Sequence, residues 1–141
     1  MQVTDAQDLA TYDVVVVGGG AAGLGGALML GRSRRSVLVV DAGEPRNASA
    51  SGVHGFLTRD GMDPAALLRV GREEVVGYGA RVIDGRVASA ERVEGGFTVT
   101  LEDGRRAGAR RLLVTTGLVD ELPDVPGVRE RWGRDVLHCP Y

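Results

Sequence analysis

Three glycines in VVVVGGGAAGLGGA, at Gly18, Gly20 and Gly23, have the G-x-G-x-x-G spacing that suits an anion-binding turn. The first glycine permits a tight turn. The second lets a phosphate approach the backbone, and the third lets a helix pack closely on a strand. A helix that opens there offers free N–H groups and the positive end of its dipole to a pyrophosphate. Asp41 lies 18 residues after Gly23, at the end of the next apolar run. A carboxylate in that place accepts hydrogen bonds from ribose hydroxyls and disfavours a 2′-phosphate. The glycine spacing alone is weak in a chain with 22 glycines. Its place between a strand and a helix raises it, but does not choose between FAD and NAD.

The other reactive groups are few. Cys139, in VLHCPY, is the only cysteine, which excludes an internal disulfide framework. It reads either as a lone thiol or as the first half of a C-x-x-C pair. His138 either lowers the thiol pKa when protonated or is only a neighbour. His54 reads as a loop tether or as a residue facing a ligand. Arg46 reads as a solvated charge or as a guanidinium beside a pyrophosphate. Two histidines and one cysteine do not make a closed zinc site, so no metal is expected. G-x-S-x-G is absent. All 17 basic residues are arginine, which excludes a Walker-A lysine and a Schiff-base lysine. A net charge of -2 gives no reason to expect nucleic acid or an anionic membrane as partner. No apolar run is long enough to span a bilayer. The opening MQVTDAQDLATYD has neither a basic nor an apolar targeting region, so a cytoplasmic setting is expected.

Elements must position these residues. Residues 1–11 read as a flexible leader. YDVVVV is a short β-branched run and reads as a buried parallel strand. A helix follows from the glycines, then a second strand, SVLVVD, which completes a βαβ unit. Residues 42–62 are rich in Gly, Ser, Asn and Pro and have no period; a loop of this length is functional or disordered. DPAALLRVGREEVVGYGA reads as a helix with Asp63 as N-cap, Pro64 in its first position and Gly79 as its stop. Leu67, Leu68, Gly71, Val75 and Tyr78 share one face, and Arg69 and Glu73 can pair. ARVID reads as a third strand. An antiparallel meander follows and leads into another buried strand, Leu112 to Thr115. The tail 119–141 reads as a connection rather than a packed element. The fold class is α/β: a Rossmann-type three-layer domain with a parallel sheet and a small β-meander.

Three stretches then resemble a family: VVVVGGGAAGLGGALMLGRSRRSVLVVDAGEPRN, LLVTTGLVDELPDVPG and HCPY. Together they are similar to the N-terminal part of thioredoxin reductase-like flavoproteins, in the pyridine nucleotide–disulfide oxidoreductase superfamily. The resemblance runs from about Tyr12 to Tyr141. It implies an FAD-binding Rossmann-type domain over 12–118, incomplete, with 119–141 leading toward an NAD(P)H and redox-disulfide domain. It implies an FAD pyrophosphate at Gly18, Gly20, Ala21 and Ala22, with Gly23 also among the cofactor-binding residues, and the ribose at Asp41. Gly43, Arg46 and Asn47 would line the nucleotide or flavin. Thr115, Thr116 and Gly117 would approach FAD from the other side of the sheet, and Val82 would serve the adenine. Cys139 would be the first cysteine of the catalytic pair.

The implied activity is an oxidoreductase passing electrons from NAD(P)H to FAD to a C-x-x-C disulfide. The parent would be a homodimer, and its substrate a small-molecule or protein disulfide or dithiol. The chain departs from thioredoxin reductases in T-T-G, where they usually have A-T-G, and in the loop ASGVHGFLTRDGMDP, so thioredoxin need not be the partner. With one fingerprint and one cysteine, the chain is expected to show no turnover alone. Two other readings stand beside this one. The first is an accessory flavin-binding subunit completed by a partner chain. The second is a small NAD-binding Rossmann oxidoreductase, which the T-T-G segment disfavours.

Overall fold

Strand β1, Asp8–Val17, is the centre of a six-stranded sheet in a computed structural model that describes residues 8–139. It pairs in parallel with β2, Val37–Asp41, on one side and with β6, Arg106–Val114, on the other. β3, Arg81–Asp84, adds in parallel beyond β2. β4, Val87–Val93, and β5, Gly96–Leu101, join β6 antiparallel, giving the order β3-β2-β1-β6-β5-β4.

The valine run explains the central place of β1. A strand buried on both faces needs apolar residues at consecutive positions rather than alternate ones. Val15 pairs in register with Leu38, and both join Val40, Val99, Leu101, Ala107 and Ala109 in one cluster. Val16 pairs with Val39 and joins the opposite cluster with Leu24, Ala27, Val37, Val75 and Ala80. The sheet therefore carries a core on each face. Helices α1, Ala21–Arg32, and α2, Pro64–Gly77, contribute to the second, and the meander contributes to the first. The Rossmann-type α/β expectation holds, and the meander extends the parallel sheet itself, which makes the six-stranded sheet mixed.

Local chemistry sets the helix ends. The Asp63 carboxylate accepts from the Ala66 N–H at 2.9 Å, and Pro64 opens α2, as the sequence predicts. Arg69 donates to Glu73 at 2.8 Å. Gly79 stops α2 as the sequence predicts: the helix ends at Gly77, Gly79 takes a left-handed φ of 87°, its N–H donates to the Val76 carbonyl at 2.9 Å, and the Ala80 N–H donates to the Val75 carbonyl at 3.1 Å. Tyr78 is therefore outside the helix and half exposed, whereas Val75 is buried.

Three expectations need correction. Residues 8–11 are not leader but the first part of β1, with Thr11 opposite Gly108 of β6; residues 1–7 lie outside the described residues. A Cβ on Gly108 would meet the Thr11 side chain, so this glycine makes the room for the pairing. Leu112 to Thr115 is not a separate buried strand. It is the end of the nine-residue β6, whose register with β1 is unbroken from Tyr12–Ala109 to Val17–Val114, and Val114 is exposed. The tail is not merely a connection: it forms the one-turn helix α3, Val128–Arg131, and a bridge from Trp132 to Val136.

The described chain divides into two compact units. One holds residues 8–43 and 68–116, and the other holds 44–67 and 117–139. In the second, the long loop is tied by Gly61 N–H to Val53 O at 2.6 Å and Val53 N–H to Met62 O at 2.8 Å.

Candidate functional site

The turn after β1 is built as the glycine spacing requires. Gly18 has a φ of 100° and donates its N–H to the Val40 carbonyl at 2.9 Å. A Cβ there would run into the Thr115 carbonyl, and a Cβ on Gly23 would run into the Gly18 carbonyl. These two glycines are thus fixed by close approach. Gly20 differs, because beyond its own chain neighbours no heavy atom stands within 4 Å of where its Cβ would be. Glycine at that position keeps open a space that the protein does not fill.

Helix α1 starts at that space. Its N-cap is Gly20, with no side-chain cap bond and no acidic residue in its first turn. Ala21 and Ala22 are exposed. The first turn therefore presents backbone donors behind methyl-sized side chains, with no acidic side chain of its own to cap them. Backbone donors at the positive end of a helix dipole suit an incoming anion.

Asp41 ends β2 beside the same turn, with its side chain 15% exposed. Its Oδ1 accepts the Gly19 N–H at 3.0 Å. Its Oδ2 accepts Arg72 Nη2 at 2.6 Å, and Arg72 Nη1 donates to Asp84 Oδ1 at 2.9 Å. Hydrogen bonding to Asp84, and then to Asp41, holds the Arg72 guanidinium above its ordinary pKa despite partial burial. Neither Arg72 nor Asp84 was singled out by the sequence. The usable signal was Gly71. A Cβ there would press on Leu24 Cδ1 at 3.1 Å, so its absence lets α2 close on α1 and brings the next residue to the strand ends.

Thr115 follows β6. Its hydroxyl donates toward the Gly18 carbonyl at 2.8 Å and lies 3.2 Å from the Val17 carbonyl, so it buttresses the turn. Thr116 is exposed next to it. Gly43, with a φ of 73°, stands in open space after β2. The Val82 side chain packs with the helix-side core cluster.

The remaining candidates belong to the second unit. Arg46 donates Nε–H to Asp120 Oδ2 at 2.8 Å and Nη2–H to Oδ1 at 2.7 Å, a two-pronged pair. That bond pushes the guanidinium pKa up, with a smaller pull from Cys139. The Asn47 carbonyl closes a turn by accepting the Ala50 N–H at 3.0 Å, and Gly117 has a φ of 70°. His54 stands 3.7 Å from Asp60. Cys139 is a free, exposed thiol, and the His138 ring lies 6.0 Å from the ring of Trp132. The structure thus gathers Gly18, Gly20–Gly23, Asp41 and Thr115 around one turn, and places Arg46, Asn47, Gly117 and Cys139 in the other unit.

Comparisons with known proteins show the family. The model of the family described as pyridine nucleotide-disulphide oxidoreductase matches residues 12–139. A protein from Arthroderma benhamiae named "Probable thioredoxin reductase" is 36% identical over 92% of this chain and 34% of its own length. The solved structure of HlmI is 56% identical, with a TM-score of 0.84 over 93% of this chain and 42% of that one. An oxidoreductase structure from Agrobacterium tumefaciens is 46% identical, with a TM-score of 0.87 over 93% of this chain and 45% of that one. The chain spans between a third and a half of the length of these relatives. It belongs to the pyridine nucleotide-disulphide oxidoreductase family, whose members use FAD and NAD(P)H.

Proposed function

We propose that this chain is the FAD-binding part of a thioredoxin reductase-like flavin oxidoreductase. The observation that carries the reading is the open space at Gly20, bounded by the uncapped N-terminus of α1 and by Asp41 at the end of β2. On this reading the amides of Ala21, Ala22 and Gly23 hold the pyrophosphate, and Asp41 takes the adenosine ribose. Thr115 keeps the turn rigid, and Val82 lies on the adenine side. Gly43, Arg46, Asn47, Thr116 and Gly117 serve the rest of the nucleotide or the flavin. Bound FAD supplies the capacity to accept a hydride from NAD(P)H and to pass two electrons to a disulfide. The chain's own work is to bind and orient it.

The same reading assigns residues 12–118 to the FAD domain and 119–139 to the passage toward an NAD(P)H domain. Cys139 becomes one thiol of the redox pair. The dithiol or disulfide substrate, a homodimeric parent and a cytoplasmic setting, where thiols are kept reduced, belong to it as well.

Titrating the purified chain with FAD, and following flavin fluorescence, tests the reading. Saturable binding is expected, weakened by roughly tenfold or more in Asp41→Ala because hydrogen bonds to a charged acceptor are lost. A chain that ignores FAD and takes NADH instead would show that the reading is wrong.

A further inference from the structure

Asp41 and Asp84 are register partners at the C-terminal ends of β2 and β3. Like charges directly opposite one another on adjacent strands repel. One guanidinium, Arg72 from α2, donates to both. The two acceptors are unequal: the Asp84 side chain is 83% exposed, whereas that of Asp41 is 15% exposed and is also held by Gly19 N–H. Each Asp41 oxygen therefore has one fixed donor before any ligand arrives, one from the glycine turn and one from α2. Each also keeps a further acceptor position. A carboxylate pinned at both oxygens cannot rotate to suit a passing donor. Its free acceptor positions point in set directions.

We propose that Arg72 is a positioning residue for ribose recognition: it locks the Asp41 carboxylate in the orientation that meets the ribose hydroxyls of an adenosine diphosphate group. The inference rests on the proposed nucleotide site. It adds that selectivity for the 2′-hydroxyl depends on a residue outside the glycine fingerprint, on the second helix. The pairing of Arg72 with Asp84 serves the same end. It fixes the second prong of the guanidinium, so the first does not swing away when a ligand competes for Asp41. The rival role is purely mechanical, a tie between α2 and the strand ends, and it makes a different prediction. A mechanical tie affects every nucleotide alike, whereas a positioned carboxylate affects only ligands that carry the hydroxyl it reads.

The test measures dissociation constants of ADP and 2′-deoxy-ADP by calorimetry for the full chain, Arg72→Met and Arg72→Gln, with circular dichroism as the check on folding. The wild-type chain is expected to prefer ADP by roughly tenfold, the share of a hydrogen bond to a charged acceptor. Arg72→Met is expected to bring the preference below about threefold, chiefly through weaker ADP binding. Arg72→Gln, which keeps one neutral donor, is expected to fall between the two, and it decides the matter if Arg72→Met does not fold. An unchanged ratio in the folded variants, with both ligands weakened equally, overturns the positioning role and leaves a mechanical tie. A wild-type chain that binds both ligands equally removes ribose reading from Asp41. One that binds neither removes the nucleotide site itself.

Discussion

Thr115 opens the T-T-G stretch that follows β6, and its hydroxyl has a mechanical use. It donates to the Gly18 carbonyl, inside the turn where a side chain on Gly18 or Gly23 would collide. The Val17 carbonyl already accepts the Thr115 N–H at 2.9 Å, so the shorter hydroxyl contact to Gly18 is the one that adds a new tie. Thr115→Val removes the donor and keeps the shape. A net loss of about 1 kcal/mol is expected, the usual worth of one neutral hydrogen bond, with Thr115→Ser close to wild type. Thermal melting of the three proteins checks this. Equal melting temperatures would mean that the hydroxyl does not brace the turn.

At the scale of elements, the long loop and the tail of the second unit are joined by Arg46 and Asp120, which are 74 residues apart. The Arg46 hydrogen bonds, with a lesser charge contribution from Arg46 and then His138, hold the Asp120 carboxyl below its ordinary value of 3.8. The sign follows from linkage. A carboxyl with a depressed folded pKa contributes stability above the unfolded value, and that contribution is lost as pH falls through the lower folded value. The tie is therefore intact from neutral pH down to about 3.8 and opens only in stronger acid. Carbon-13 NMR of the Asp120 carboxyl should show a midpoint below 3.8, returning toward it in Arg46→Met; a wild-type midpoint at or above that value sinks the assignment.

The same pair shows where sequence reading stops. The β1 turn, the meander and the α2 cap were legible, because each is written in neighbouring residues: a valine run, a Gly-Gly turn, Asp-Pro at a helix start. Arg46–Asp120 and Arg72–Asp41 were not, because both partners are charged residues of ordinary type on elements that only the fold brings together. Asp8–Thr11 was hidden for another reason. Asp8 and Ala10 are of types depleted in strands, and the pairing depends on space left by a glycine in β6.

For the whole molecule, the distribution of buried apolar residues matters most. The core valines, leucines and alanines all lie in the first unit, in the two clusters on either face of the sheet. The second unit instead exposes Phe56, Leu57, Leu118 and Val119 and is held by turns and the Arg46–Asp120 pair. Local opening is cheapest where few apolar contacts must break. Hydrogen exchange should therefore divide the chain. Amides of β1 and β2 exchange only with global unfolding, and those of 44–62 and 117–139 exchange far faster. Ligand linkage sharpens the expectation. A ligand that binds only the folded form at a hundred times its dissociation constant stabilises it by about 2.7 kcal/mol, so globally exchanging amides slow by about a hundredfold. With saturating FAD, that slowing should appear across the sheet, with added local protection at 18–24 and 41 if the glycine turn holds the nucleotide. Slow exchange spread evenly over both units would contradict the placing of stability in the first unit, and FAD protection that bypasses 18–24 would contradict the placing of the pyrophosphate at the glycine turn.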